Sequence, residues 1–439
     1  MRKILSAAVV ILWALPIFAA DSPAMAPRPL AMTDAVAIAL EKNNDLAALR
    51  EELKGSQTVT ELTGTLPNPV LELEGTSGTL TNSPDEKSLG IALSQEIPLM
   101  PVGRRRKAIA RAEAEVLQTQ LLDQERQLAD QTRRAWLEAV LSAQRLELAH
   151  SQKTLADELV SIAKTRFQAG DLPEFEVQLA ELDHRRSGLR TLEAVAGTEA
   201  ARRKLAQLLG FGADNQLPPL APVPALPGVM PAEDELMASA FERRPDLAGK
   251  QREGEREQAS LALAKAEAVP SLTVALSYRN ERSNQNAYEL SGGVLLPGKE
   301  RTNDHILGLK LSIPLPLFSR NQAEIARVTA RASSVRYRQE AARRAIRLEV
   351  RDLLAQYRLA TSTLALHRTA LGPIARENLH IQQQAFQLGE IGMQTVLDEK
   401  RRLGEQQEAE LAALQTAHET YSRLESAVGG SLAITGDKR

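Results

Sequence analysis

Between Leu307 and Arg327 the chain reads LGLKLSIPLPLFSRNQAEIAR, and the two parts of that stretch obey different periods. Leu307, Leu309, Leu311, Ile313 and Leu315 alternate with Gly308, Lys310, Ser312 and Pro314, the period of two that gives a strand one apolar and one wet face. After Pro316 the alternation stops. Ser319 or Asn321 is placed to cap a helix that runs on, rich in alanine and arginine, past Leu371. Any fold for this chain has to reconcile those two periodicities.

The same joint occurs earlier. Leu89-Gly90, Leu93-Ser94 and Pro98-Leu99 align without gaps with Leu307-Gly308, Leu311-Ser312 and Pro316-Leu317, and Ala108, Ala112 and Ala114 keep that register with Ala326, Ala330 and Ala332. Two such joints, each feeding a long helix, indicate an internal duplication. The correspondence extends to Asp45-Leu46 on Asp246-Leu247, to Pro67 on Pro270, and to Phe167-Gln168-x-Gly170 on Phe386-Gln387-x-Gly389.

Taken in order, Thr33 caps a helix that continues toward Leu62, and a hairpin follows at about 67–99, with Gly75 to Ser88 as its polar connection. Arg104 to Phe167 contains neither proline nor glycine and predicts a helix of about 64 residues, roughly 95 Å long. Leu141, Leu148, Leu155 and Ile162 recur every seven residues in it, as in a coiled-coil seam. Gly170-Asp171-Leu172-Pro173 turns the chain, and a second helix returns to about Leu209. A proline-rich connector spans 217–231. The order then repeats, with a hairpin at about 270–317 whose connection, Asn280 to Asp304, is longer than its counterpart. A long helix runs to Phe386, Gly389-Glu390-Ile391-Gly392 turns it, and a last helix reaches about 428. The expected organisation is a first repeat at 27–216 (long helices about 104–209), a second at 232–430 (long helices about 319–428) and a flexible tail at 431–439.

At the N-terminus, Arg2 and Lys3 precede an apolar run from Ile4 to Leu15, then Pro16 and small residues suited to cleavage after Ala20 or as late as Ala26, the pattern of a secretory signal. An uncleaved anchor is the competing reading. No later stretch has the roughly 18 apolar residues of a spanning helix, so entry into a membrane has to use strands. There are no cysteines among the 439 residues, aromatic residues make up 3%, and 54 basic residues face 56 acidic ones. That composition suits long helices packed through small and aliphatic side chains, and its near balance of charge offers no field for nucleic acid.

Function has to come from assembly. Four strands with one aliphatic face each are too few to close a barrel, for which about eight is the smallest number. Unpaired backbone groups in lipid cost several kcal/mol each, so several chains have to share one barrel, with the helices forming a longer cylinder outside the bilayer. The competing reading is a non-channel periplasmic coiled-coil structural protein. It accounts for the helices and leaves the aliphatic strand faces without a core.

These residues resemble the TolC-like outer-membrane efflux factors over almost the whole mature chain. Leu93-Ser94-Gln95-Glu96-Ile97-Pro98-Leu99 and Ser312-Ile313-Pro314-Leu315-Pro316-Leu317-Phe318-Ser319-Arg320-Asn321-Gln322 look like the branch serving heavy-metal cation (cobalt-zinc-cadmium or copper) pumps of the resistance-nodulation-division class. The resemblance implies a mainly α protein with a small β part, a homotrimer whose twelve-stranded barrel lies in the outer membrane and whose helices extend into the periplasm. It implies docking to a periplasmic adaptor and an inner-membrane pump, passive conduction, no cofactor and no enzymatic step. Within the channel class, drug efflux and secretion compete with metal export.

The resemblance also places a gate after the second helical turn. The family's gating aspartate falls on Asp398, its other acidic position on Thr395, and its basic position on Ile391. By spacing alone Thr395, Asp398, Glu399 and Arg402 share one helix face, which read by itself is a solvated face with a Glu399–Arg402 pair. Gly170 with Asp171, and Gly389 with Glu390, are the expected adaptor-facing turns, although glycine at a helix end is also an ordinary C-cap.

Site chemistry of other kinds has no signature here. His150, His184, His305, His367, His380 and His418 form no HExxH or other close pair, and no GxSxG, P-loop or dinucleotide fingerprint occurs. Arg104-Arg105-Arg106-Lys107, the densest charge run, opens a helix directly after a strand and reads as interface or surface charge.

Overall fold

The computed structural model describes residues 29–79, 83–212, 217–291 and 293–432. The expected signal segment and most of the expected tail lie outside them. Helices α1 (Met32–Lys42) and α2 (Asn44–Leu62) lead into strands β1 (Val70–Gly78) and β2 (Ser83–Pro98), then α3 (Val102–Gln168) and α4 (Glu174–Leu208). Helices α5 (Glu233–Arg243) and α6 (Pro245–Ala266) lead into β3 (Ser271–Ser291) and β4 (Val294–Ser312), then α7 (Gln322–Leu366), α8 (Gly372–Gln387) and α9 (Met393–Val428). The order helix, helix, strand, strand, long helices thus occurs twice. No described helix is long and apolar enough to cross a membrane.

The first helix of each half is broken where one continuous helix was expected. Asn43 adopts extended backbone and its side chain accepts from the Leu46 amide at 2.9 Å, which starts α2 afresh. In the second half Pro245 occupies the first turn of α6. Thr33 is not a cap, because α1 starts at Met32 with Ala31 before it. That start is fixed instead by the connector: Leu30 donates to Pro219 O and accepts from the Ala221 amide, and Trp136 Nε1 donates to Leu30 O. Nor does Asn321 cap α7. Its backbone is left-handed at φ 59°, and its side chain donates to Ala264 O at the end of α6.

The four strands form one antiparallel sheet in the order β1-β2-β3-β4. The two halves meet at β2 and β3, where Leu93 lies opposite Leu276 and Pro98 opposite Ser271. Residues expected to form loops are strand: Gly75 to Gly78 continue β1, and the stretch from Asn280 to Asp304 carries β3 and β4 on to the pair Ser291–Val294. The outer parts of these strands are polar, so alternation of apolar residues did not mark them, yet backbone pairing satisfies their amides regardless of side chain.

Below the sheet the helices stand side by side. Near it the row runs α2, α3, α6, α7; farther away it runs α4, α3, α9 and then α7 continued by α8. Among the described residues three apolar cores are strung along the length. The largest joins α1, the middle of α3 around Trp136, the end of α4, α9 and the connector. A second joins α5, α7 and the end of α9. The third sits at the far tip. In the lower part of α3 the buried positions are Ala156, Leu159 and Ala163, while Leu148, Leu155 and Ile162 are half-buried. The expected leucine seam is displaced because α3 has a neighbour on each side, and small residues let both approach.

The expected uninterrupted helix to Phe386 is also interrupted. A π-helical turn at His367–Leu371 separates α7 from α8, and the Gly372 amide reaches back to His367 O. Pro373 has no N–H to give, and its ring conflicts with an α-helical carbonyl one turn back, so the wider turn relieves both.

Candidate functional site

Two regions carry the candidate function: the helical tip and the sheet. At the tip both turns have the same local geometry. Gly170 and Gly389 have φ of +83° and +82°. The Asp171 amide bonds Arg166 O at 2.9 Å and the Gly170 amide bonds Phe167 O; in the other turn the Glu390 amide bonds Ala385 O at 2.9 Å and the Gly389 amide bonds Phe386 O. This is the Schellman cap, which needs a residue free to take left-handed backbone. Gly170, Asp171, Gly389 and Glu390 are all exposed.

What the two turns share was invisible in either alone. Arg166, at the end of α3, donates from Nη1 to Phe386 O at 2.6 Å, and its guanidinium lies 4.8 Å from the centre of the buried Phe386 ring. Glu176, in the first turn of α4, accepts the Met393 amide on Oε2 at 2.8 Å, where Gly392 supplies no cap of its own. A cation thus sits at the C-terminus of α8 and an anion at the N-terminus of α9, each favoured by the helix dipole. Both come from the other half of the chain. The only signal for them in sequence is that the matched turns differ there: Arg166 stands where the second turn has Ala385, and Glu176 where it has Thr395.

On α9 the four residues grouped by spacing separate. Thr395 is exposed and Asp398 half-exposed, with Asp398 accepting from Arg401 at 3.1 Å and from Gln394 at 3.2 Å. Glu399 is only 4% exposed and reaches Arg402 at 3.0 Å. The face is therefore not uniformly solvated, because the wall covers its Glu399 side. Lys400 is buried beside it and pairs with Asp183 and Ser187 of α4, a link sequence reading missed. Among the described residues no group of three His, Asp or Glu could hold a metal ion.

The sheet places its leucines in rows. Leu71, Leu93, Leu276 and Leu309 lie side by side across all four strands, and Leu73, Ile91, Tyr278 and Leu307 form the next row. These side chains point to open surface: Leu73 and Leu307 are each 74% exposed. An apolar face of that extent, left bare by its own chain, requires lipid or protein to cover it. The other face carries Glu74, Arg279 and Glu281, joined by ion pairs.

Solved structures share this architecture. The fold matches CusC, whose crystal structures concern folding and transmembrane channel formation, at 17% identity over 91% of this chain and 92% of that one, with a TM-score of 0.73. It matches VceC, an outer membrane protein of Vibrio cholerae, at 16% identity over 91% and 96% of the two chains, with a TM-score of 0.71. It matches the open state of the MtrE outer membrane channel of Neisseria gonorrhoeae at 19% identity over 91% and 89%, with a TM-score of 0.69. The fold is thus the TolC-like channel fold, mostly helical with a small antiparallel sheet. The outer membrane efflux protein family model matches residues 35–211 and 236–430, and the chain belongs to that family. No curated protein matches it.

Proposed function

We propose that three copies of this chain close into one tube in the outer membrane and periplasm, which passively conducts heavy-metal cations received from an inner-membrane resistance-nodulation-division pump through a periplasmic adaptor. The observation that carries the assembly is the agreement of edges. The sheet ends at β1 and β4; the helical row ends at α2 and α4 on one side and at α7 and α8 on the other. Since α2 leads into β1 and β4 into α7, both layers present the same two sides, and joining one side to the other of the next copy makes a closed ring. Two copies would give a barrel of about eight strands, filled by its own side chains, whereas about twelve leaves a water path. The polar inner face with Glu74, Arg279 and Glu281 suits such a lumen.

On this reading residues 27–216 and 232–430 are duplicated units joined by 217–231, and the sheet sits in lipid because its exposed leucine rows need it. Three copies of Asp398, with Thr395 one turn earlier, ring the axis near the periplasmic end and attract cations. Asp398→Ala is expected to lower cation selectivity in planar bilayers; unchanged conductance and selectivity would remove Asp398 from the gate. The turns at Gly170–Asp171 and Gly389–Glu390 face the adaptor. Gly170→Leu and Gly389→Leu are expected to weaken adaptor crosslinking while trimer yield holds, and loss of the trimer would instead mark them as caps alone.

Metal export rests on the similarity of the two strand-end motifs to the heavy-metal branch. A deletion strain challenged with zinc, cobalt, cadmium, copper and nickel, beside dyes and detergents, tests it. Sensitivity confined to dyes and detergents would make this a drug-efflux duct. A heat-sensitive trimer band from the outer membrane, with conductance in bilayers, tests the channel itself.

A further inference from the structure

Above its leucine rows the sheet sorts charge between its two faces. On the leucine face the register places Lys87 opposite Arg282 and Arg282 opposite Asn303, with Arg301 on the next row opposite Asn284. All three basic side chains are exposed. On the other face at this height stand Glu281 opposite Asp304, and Ser283 opposite Thr302. Arg279 on that inner face has two carboxylate partners, whereas Lys87, Arg282 and Arg301 figure in no ion pair among the described residues.

The height of this basic row follows from strand geometry. From Ile313, just past the helix-side end of β4, to Asn303 is ten residues. At about 3.4 Å per residue and a tilt of about 40°, that is roughly 26 Å of vertical rise, close to the roughly 25 Å apolar band of outer-membrane barrels. Just below the row, Tyr278 OH and His305 Nδ1 are 2.6 Å apart and their rings stack with centroids at 6.0 Å. An amphipathic aromatic pair is suited to the boundary between lipid tails and headgroups. The basic row therefore stands at headgroup level on the leaflet away from the helices.

We propose that Lys87, Arg282 and Arg301 bind the phosphates of a phosphorylated glycolipid in the outer leaflet, whose acyl chains lie against Leu73, Ile91 and Leu307. The chemistry is specific to that kind of ligand. The cations are clustered within about 12 Å on neighbouring strands, none of the three figures in an ion pair among the described residues, and the apolar rows continue directly beneath them. A free anion would have no use for those rows, and an uncharged lipid none for the cations. The inference rests on the channel reading, since only a sheet in the outer membrane meets such a lipid.

The test uses detergent-extracted trimer, native mass spectrometry and the temperature at which the trimer band is lost. The protein, its Lys87→Gln/Arg282→Gln/Arg301→Gln variant and an Arg279→Gln control are each incubated with bisphosphorylated lipid A, dephosphorylated lipid A or inorganic phosphate. Bisphosphorylated lipid A is expected to bind and raise that temperature in the protein and the control, with binding at least tenfold weaker in the triple variant. Equal binding by the triple variant overturns the assignment of the basic row, as does equal protection by dephosphorylated lipid A or by inorganic phosphate. Absence of any trimer from the outer membrane overturns the channel reading and this inference together; a normal conducting trimer with unaltered lipid binding overturns this inference alone.

Discussion

Arg244 and His418 illustrate how single side chains are settled by burial. Arg244 is 6% exposed, and burial works against its charge, but hydrogen bonds from its guanidinium to Asp246 and Glu349 outweigh that and raise its pKa. It also donates to Ala427 O, so one residue ties α5 and α6 to α7 and α9. His418 has no such compensation. Burial, helped by the positive charge of Arg368, pushes its pKa down to about 4 from 6.5. A depressed histidine pKa means the unfolded chain takes up the proton first. Its contribution is complete above pH 6.5 and is lost as pH falls toward 4, amounting to about 3 kcal/mol in all. His418→Gln is expected to shrink the drop in melting temperature between pH 7 and pH 4.5 by several degrees. An unchanged drop would show that this histidine does not titrate on unfolding.

Among the elements, the clamp at the tip joins hairpins that are remote in sequence. Arg166 and Glu176 close the ends of α8 and α9 from the opposite half, so the two turns are held as one body rather than as independent caps. Glu176→Ala is expected to cost about 1.4 kcal/mol locally and to speed hydrogen exchange of the Met393 amide about tenfold, with Leu46 in α2 unaffected. Exchange unaltered at Met393 would mean water replaces the carboxylate without loss. The close approach of Gly64 and Gly103 is a different junction, backbone to backbone within the first half. A Cβ on Gly103 would stand 2.6 Å from Gly64 O, so backbone meets backbone where α2 and α3 flank the sheet.

At the scale of the whole molecule, the unfinished edges dominate. Phe175, Leu182 and Leu189 are exposed every seven residues along α4, and Ile374, Ile381 and Leu388 along α8 and its end. These are two unpaired coiled-coil stripes on opposite ends of the helical row. In the proposed ring each stripe covers the other on the next copy. Leu189→Glu or Ile381→Glu is therefore expected to abolish the heat-sensitive trimer while leaving monomer helicity by circular dichroism unchanged. Survival of the trimer in both variants would place the contact elsewhere.

The periods in the sequence determined the kinds of element: long helices from Arg104 and after Asn321, strands around Leu93 and Leu309, and glycine turns at Gly170 and Gly389. These depend on residues a few positions apart, which a linear reading compares directly. The extension of β3 and β4 through polar residues, the displaced seam of α3, the buried Glu399 and Lys400, and the Arg166–Glu176 clamp were decided only by tertiary structure. The seam, the two buried charges and the clamp depend on partners brought close by folding from far along the chain, as Glu176 and Met393 are, and the strand extension on backbone pairing that side-chain alternation does not mark. Backbone pairing and burial then override what the local pattern of side chains favours.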